Sequence, residues 1–171
     1  NKIKKNTCVY IGSFYQGKGF EIIMQLAKEC KNINFHLYGD KSFIVKKNLK
    51  FKNVKIFSHI PYYRVPYILS KYNVALMPYD KKIYGRGQIE ISNSISPLKM
   101  FDYMASKKII LASNLKVYGH ILQNKYNSIL IEPNNILEWK RNLEKIFKNP
   151  KKYKNISINA YHNVKKYTWD A

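Results

Sequence analysis

Short apolar segments alternate with helix-length segments along the whole chain, and this order leaves few architectures open. Strands separated by helices pair in parallel through right-handed crossovers. The nearly continuous apolar character of these strands indicates that helices cover both faces of the sheet. Strands are predicted at residues 7–11, 34–38, 54–57, 74–77, 109–112 and 129–131, and helices at 19–30, 63–71, 97–106, 136–149 and 153–167. We therefore predict an α/β fold with a doubly wound parallel sheet, Rossmann-like, as a single domain over residues 1–171 that ends in a C-terminal helix within 150–171.

In such a sheet, ligands bind beyond the carboxyl ends of the strands. The segment at residues 79–96 is the longest irregular one near that edge, and it carries Gly85-Arg86-Gly87. Its length and glycine content predict a mobile loop or lid. The loops expected at the ligand edge are residues 12–19, 39–42, 58–63, 78–97 and 113–119.

A glycine-rich loop, Gly-Ser-Phe-Tyr-Gln-Gly-Lys-Gly at residues 12–19, lies between the first strand and the first helix. It nearly matches the P-loop pattern, but Gly19 stands where that pattern needs a magnesium-binding hydroxyl, which argues against a P-loop ATPase. A glycine-rich turn that opens a helix still favours phosphate binding. Lys18 adds a point charge there. The alternative is a tight turn with a surface lysine.

The helix at residues 97–106 begins with the motif Ser96-Pro97-Leu98-Lys99. Serine is a good N-cap, and proline suits the first helical position. A lysine in the first turn opposes the helix dipole by about 0.3–1 kcal/mol, and an anionic ligand would reverse this penalty. Asp102 follows one turn later and can accept hydrogen bonds from a ribose diol. The alternative is a Lys99–Asp102 surface pair of a few tenths of a kcal/mol.

The net charge of +21 admits a nucleic-acid or membrane surface. However, only three of the 31 basic residues are Arg, whereas nucleic-acid surfaces favour Arg. A/T-rich codons explain the abundance of Lys, Asn, Ile and Tyr, so we expect no nucleic-acid partner. Attraction to anionic lipid stays open. Cys8 and Cys30 are predicted to be buried free thiols, and no Cys/His spacing predicts a metal site.

Several segments, taken in order, resemble the C-terminal domain of the family 4 (group 1) glycosyltransferases, which have two Rossmann-like domains (GT-B). The resemblance covers nearly the whole chain, and the Ser-Pro-Leu-Lys motif is its most specific part. It implies that the chain is the donor-binding half of such an enzyme and that an N-terminal acceptor domain is missing. The matching segments are residues 10–21, 35–40, 73–79, 96–105, 109–113, 127–133 and 167–169.

The resemblance also implies roles for individual residues. Lys18 would contact the donor diphosphate, Asp102 would hold the ribose as the second acid of the family's E-x7-E motif, and these two are the candidate catalytic residues. Ile60 and Pro61 would border the nucleobase. The complete implied donor site is Gly12, Ser13, Lys18, Gly19, Gly39, Ile60, Pro61, Arg86, Ser94, Ser96, Leu98, Lys99 and Asp102.

Several positions depart from the family pattern, and three of them lie in the implied donor site. Ser94 stands where the first acid of E-x7-E is expected, and Ser13 stands where an Arg usually contacts the diphosphate. Arg86 is a candidate to replace that arginine, with a solvated loop arginine as the alternative. The third departure is Asp102, whose side chain is one methylene shorter than the usual Glu.

The function that the resemblance implies is retaining, hexosyl-type transfer from a UDP- or GDP-sugar to a glycan or lipid-linked acceptor, without a cofactor or essential metal. The setting would be polysaccharide biosynthesis for the cell envelope. No apolar run approaches the roughly 20 residues of a membrane span, so we expect a cytoplasmic protein, with peripheral contact at the inner face of the membrane left open. The isolated domain should be nearly inactive. Two alternatives remain: a non-catalytic nucleotide-sugar-binding or scaffold module, and a basic membrane- or nucleic-acid-binding domain.

Overall fold

The computed structural model describes residues 2–40, 51–92 and 98–167, with only the backbone of Arg86. Its six strands form one parallel sheet in the order β3-β2-β1-β4-β5-β6. The order changes direction between β1 and β4, which is the switch point where ligands of such sheets bind. The predicted doubly wound, Rossmann-like fold is confirmed. The strands are β1 Thr7–Ile11, β2 Asn34–Tyr38, β3 Val54–Phe57, β4 Val74–Met77, β5 Ile109–Ser113 and β6 Ile129–Ile131.

Helices cover both faces of the sheet. Successive strand residues point to opposite sides, and since most of them are apolar, both sides need to be buried. Cys8 and Tyr10 of β1 join the core beneath one pair of helices, while Val9 joins the core on the other face. The first face carries α1 and α4, and the second carries α2, α3 and α5. These helices are α1 Phe20–Glu29, α2 Val65–Leu69, α3 Leu98–Ala105, α4 Ile136–Lys148 and α5 Lys154–Val164.

Buried aliphatic and aromatic side chains fill both cores. Leu26 and Leu143 are fully buried on the α1/α4 face, as are Leu69 and Met104 on the opposite face. Each such side chain stabilises the fold by about 1.5–3 kcal/mol relative to an exposed one. Cys8 and Cys30 are buried free thiols, as predicted.

Two helices are shorter than the sequence pattern predicts. The segment predicted as a helix at residues 63–71 forms a 3-10 turn, Tyr62–Arg64, followed by the five-residue α2. Pro66 lies in the first turn of α2, where its missing N–H is tolerated. The last predicted helix is likewise divided, with the 3-10 turns Pro150–Tyr153 and Lys165–Tyr167 on either side of α5.

The segment after β4 is not irregular throughout, so that part of the prediction was wrong. Ile91 donates its N–H to the carbonyl of Ile83, and Gly85 donates to Ile89, both at 2.8 Å. These bonds close a small hairpin over residues 83–91, called here the 83–91 hairpin. Two further backbone bonds join this region to the glycine-rich loop, from Asp80 to Gly17 and from residue 84 to residue 16.

Candidate functional site

The glycine-rich loop between β1 and α1 is held at both ends by one tyrosine. The hydroxyl of Tyr10 lies 2.7 Å from the carbonyl oxygen of Ser13 and 2.9 Å from that of Lys18. Gly19 occupies the N-cap position of α1 with φ 98°, a left-handed conformation that favours glycine. No side chain of the described residues caps this helix end. The loop therefore presents the start of α1 at the ligand edge of the sheet, as the sequence predicts.

Lys99 places a buried cation against this loop. Its ammonium nitrogen is buried and has no hydrogen-bond partner among the described residues, although the side chain as a whole is only half-buried. The ammonium lies 3.9 Å from the centroid of the Tyr10 ring and 5.0 Å from that of Tyr79. A β-carbon at residue 12 would collide with it, so Gly12 is needed for this close approach. A buried ammonium without a partner is costly, and an anion would remove that cost.

Lys18 is the second cation at this place, and it is half-buried. Burial lowers its pKa. Burial, and then the nearby positive charge of Lys18, lower the pKa of Lys99 well below its usual value. In the part of the chain that the structure describes, no carboxylate pairs with either lysine. Two converging cations without a counter-ion are the arrangement expected of a phosphate site.

Asp102 lies half-buried on α3, one turn after Lys99. Burial raises the pKa of its carboxyl, and a hydrogen bond from Tyr62 opposes that rise. The Tyr62 hydroxyl donates this bond to Oδ1 at 2.9 Å. The alternative of a Lys99–Asp102 surface pair is wrong, because the Lys99 ammonium is buried and unpaired within the described residues.

Some of the remaining predicted residues are described by the structure, and others lie outside the described residues. Ile60 and Pro61 follow β3 at the same edge, half-buried and exposed respectively. Gly39 packs against the glycine-rich loop, because a β-carbon there would meet the Gly12 carbonyl and the Phe14 ring. The Ser13 side chain is half-buried, and Leu98 is exposed at the described start of α3. Ser94, Ser96 and the side chain of Arg86 lie outside the described residues.

Tyr62 is the contact that sequence reasoning missed. It follows Pro61 directly, in the loop already expected to border the nucleobase, and that position was the available signal. Its partner Asp102 lies 40 residues away, so only the folded chain shows the bond.

A separate pocket of about 660 Å³ opens on the other side of the glycine-rich loop, between this loop and the 83–91 hairpin. Its described lining includes Tyr15, Tyr84 and the acidic side chains of Glu21 and Asp80, but not Lys18, Lys99 or Asp102. Acidic walls do not suit a diphosphate. The unpaired cations therefore locate the anion site better than the size of this pocket does.

The described residues contain no group of three or more His, Cys, Asp or Glu side chains arranged to hold a metal ion. Among the same residues, no helix has the length and apolar character needed to cross a membrane.

The parallel sheet with its flanking helices defines a Rossmann-like domain of the type that forms the C-terminal half of GT-B glycosyltransferases. Residues 1–163 match the family described as glycosyl transferases group 1, and the chain belongs to that family. The glycosyltransferase assignment of the resemblance is thereby confirmed.

Individual relatives agree with this assignment. The chain is 24% identical to an uncharacterized glycosyltransferase of Methanocaldococcus jannaschii, MJ1178, over 96% of this chain and 45% of that protein. A sucrose-phosphate synthase from Thermosynechococcus elongatus superposes with a TM-score of 0.78 at 15% identity, over 98% of this chain and 42% of the other. HepE of Anabaena, solved in complex with UDP and glucose, superposes with a TM-score of 0.76 at 14% identity, over 95% of this chain and 44% of HepE. The chain thus spans less than half the length of these proteins.

Proposed function

We propose that this chain is the donor-binding domain of a retaining, family 4 glycosyltransferase, and that it binds a UDP- or GDP-sugar at the edge formed by Lys18, Lys99 and Asp102. The observation that carries the proposal is the buried ammonium of Lys99, which lies beside Lys18 and has no hydrogen-bond partner among the described residues. A diphosphate provides the negative charge that both lysines lack. The complex of HepE with UDP and glucose supports a nucleotide of this class.

In this proposal the two lysines act on the leaving group. As the bond between the anomeric carbon and the diphosphate oxygen breaks, negative charge grows on the diphosphate, and Lys18 and Lys99 stabilise it. Preorganised charges in a site that excludes water contribute strongly to such stabilisation. Asp102 accepts hydrogen bonds from the ribose and positions the nucleotide. Two lysines supply positive charge at the diphosphate, so the proposal requires no metal and no cofactor.

The acceptor half of the reaction belongs to a part of the protein beyond this chain, which spans 45% of MJ1178. We propose a glycan or lipid-linked acceptor bound by an N-terminal domain, hexosyl transfer in cell-envelope polysaccharide synthesis, and a cytoplasmic location that includes contact with the inner face of the membrane. On this proposal the isolated domain binds donor weakly and transfers sugar very poorly.

One observation favours a second candidate, a donor-binding module without catalysis. Ser13 stands where the family usually has an arginine, and its carbonyl is bonded to Tyr10 inside the loop. The side chain is too short and uncharged to replace the arginine. Donor binding without sugar transfer, in a protein that carries both domains, would establish this second candidate.

The test is calorimetric titration of the chain with UDP, GDP and ADP, comparing wild type with Lys99→Met, Lys18→Ala and Asp102→Ala. We expect one nucleotide to bind and each substitution to raise its Kd by about tenfold or more, because hydrogen bonds to charged groups contribute about 1.5–3 kcal/mol each. Lys81→Met is the matched control, since Lys81 is exposed and paired with Glu132. Equal weakening by the control would contradict a specific site.

A further inference from the structure

Tyr62 is anchored at one end and open at the other. Its hydroxyl donates a 2.9 Å hydrogen bond to Oδ1 of Asp102, yet the residue is 74% exposed. An exposed tyrosine side chain on a surface loop normally keeps its rotational freedom, because fixing it in one position costs conformational entropy. Here the bond to a half-buried carboxylate holds the aromatic ring at one place beside the donor edge.

This bond joins two parts of the proposed donor site that are distant in sequence. Tyr62 begins the 3-10 turn that follows Ile60 and Pro61, and Asp102 lies on α3. The helices α2 and α3 pack on the same face of the sheet, so the turn that precedes α2 reaches Asp102 in the middle of α3. The loop that would border the nucleobase is thereby tied to the residue that would hold the ribose.

The bond leaves Asp102 able to bind a ligand. A carboxylate has two oxygens with about four acceptor positions. Tyr62 uses one position on Oδ1, so the ribose hydroxyls can still donate to the remaining ones. By donating a hydrogen bond to one oxygen, the Tyr62 hydroxyl also selects one orientation of the Asp102 carboxylate. Less conformational freedom is then lost when the ribose binds.

Resting on the proposed function, we propose that Tyr62 forms the nucleoside end of the donor site: its hydroxyl positions Asp102 for the ribose, and its exposed ring stacks on the nucleobase. Every base has a flat face, and stacking of a base on an aromatic side chain changes affinity by about 5- to 150-fold. Tyr62 is therefore a binding and positioning residue, and it acts on the nucleoside without contacting the diphosphate.

The experiment measures two ligands, UDP (or GDP, whichever the wild type prefers) and inorganic pyrophosphate, on the same variants by calorimetry. Tyr62→Ala removes the ring and the hydroxyl, and Tyr62→Phe removes only the hydroxyl. Tyr63→Ala is the matched control, because the adjacent Tyr63 is 78% exposed and the bond to Asp102 comes from Tyr62. Thermal unfolding of each variant verifies that it folds.

We expect Tyr62→Ala to raise the nucleotide Kd by at least tenfold and Tyr62→Phe by about threefold. The Kd for pyrophosphate should stay within twofold in both variants, and Tyr63→Ala should resemble wild type. If the Tyr62 variants bind nucleotide like wild type while Lys99→Met does not, this inference is wrong and the donor site stands. Tighter binding by Tyr62→Phe would also overturn it, because the hydroxyl would then compete with the ribose. If wild type binds no nucleotide, the proposed function fails and this inference fails with it.

Discussion

The ammonium of Lys99 lies 3.9 Å from the centroid of the Tyr10 ring, buried and without a hydrogen-bond partner among the described residues. The ring faces of Tyr10 and Tyr79 offset part of the lost hydration, since a desolvated cation over an aromatic ring gains about 2 kcal/mol. They provide no hydrogen bonds. The described residues therefore leave this cation in an unfavourable environment at the place where a diphosphate would bind.

This relationship predicts a conflict between stability and binding at Lys99. A lysine whose pKa is lowered by folding destabilises the folded state at neutral pH. Lys99→Met keeps the apolar stem and removes the buried charge, so we expect the free energy of unfolding to rise by about 1–3 kcal/mol. Urea denaturation at pH 7 measures the change. Lys81→Met, at an exposed ion pair, should change stability by less than about 0.5 kcal/mol. A loss of stability in Lys99→Met would contradict a buried Lys99 ammonium that has no partner among the described residues.

Gly12→Ala should impair binding as well as stability. The new β-carbon would collide with the ammonium of Lys99, which is the far end of a flexible side chain and can move aside. We expect a loss of about 1–2 kcal/mol in unfolding free energy, because Gly12 has φ 155° and an L residue is strained there. We also expect at least a tenfold rise in the nucleotide Kd because the cation is displaced. Denaturation and calorimetry on one preparation separate the two effects. Unchanged nucleotide affinity would show that Lys99 is not held in place by this contact.

Gly19→Ala should instead destabilise the fold. Its β-carbon would lie 2.5 Å from the carbonyl oxygen of Pro78, which is backbone and cannot move aside, and the residue has φ 98°. Gly87→Ala is the matched control, since Gly87 has φ 76° but open space around it. We expect a loss of about 1–2 kcal/mol for Gly87→Ala from backbone strain, and at least 1–2 kcal/mol more for Gly19→Ala. Equal losses by chemical denaturation would mean that the contact with Pro78 has no cost.

Periodicity was sufficient to place the strands and to predict a parallel sheet, because buried parallel strands are continuously apolar and helix-length crossovers join them. The order of the strands came only from the structure. Five of the six predicted strands have the observed bounds, and β5 is one residue longer. The topology then brings the glycine-rich loop and the start of α3 to one edge of the sheet. The sequence could therefore assign Lys18 and Lys99 to the same site. The 83–91 hairpin was missed because its cross-strand bonds lie in a short segment without alternation. The Tyr62–Asp102 bond was missed because no local pattern encodes a contact over 40 residues.

His36 predicts how stability depends on pH. It is buried on β2, with Nδ1 2.8 Å from the hydroxyl of Tyr72, and its ring packs edge-on against Phe57. Burial, together with the positive charges of Lys4 and Lys55, lowers its pKa to about 4. The unfolded chain takes up a proton near the usual value of 6.5, whereas the folded chain does not do so until about pH 4. Stability from the neutral imidazole is therefore complete above pH 6.5 and is lost as the pH falls toward 4.

We expect the free energy of unfolding to fall by about 1–3 kcal/mol between pH 7 and pH 4.5, since each pKa unit corresponds to about 1.4 kcal/mol. His36→Asn should abolish most of this slope, while remaining able to bond to Tyr72. His162→Asn, at an exposed position on α5, should leave the slope unchanged. Urea denaturation at several pH values measures all three proteins. A slope that persists in His36→Asn would assign the acid sensitivity to a group other than His36. Asp102 is not that group, because a carboxyl whose pKa is raised by folding stabilises the folded state as the pH falls.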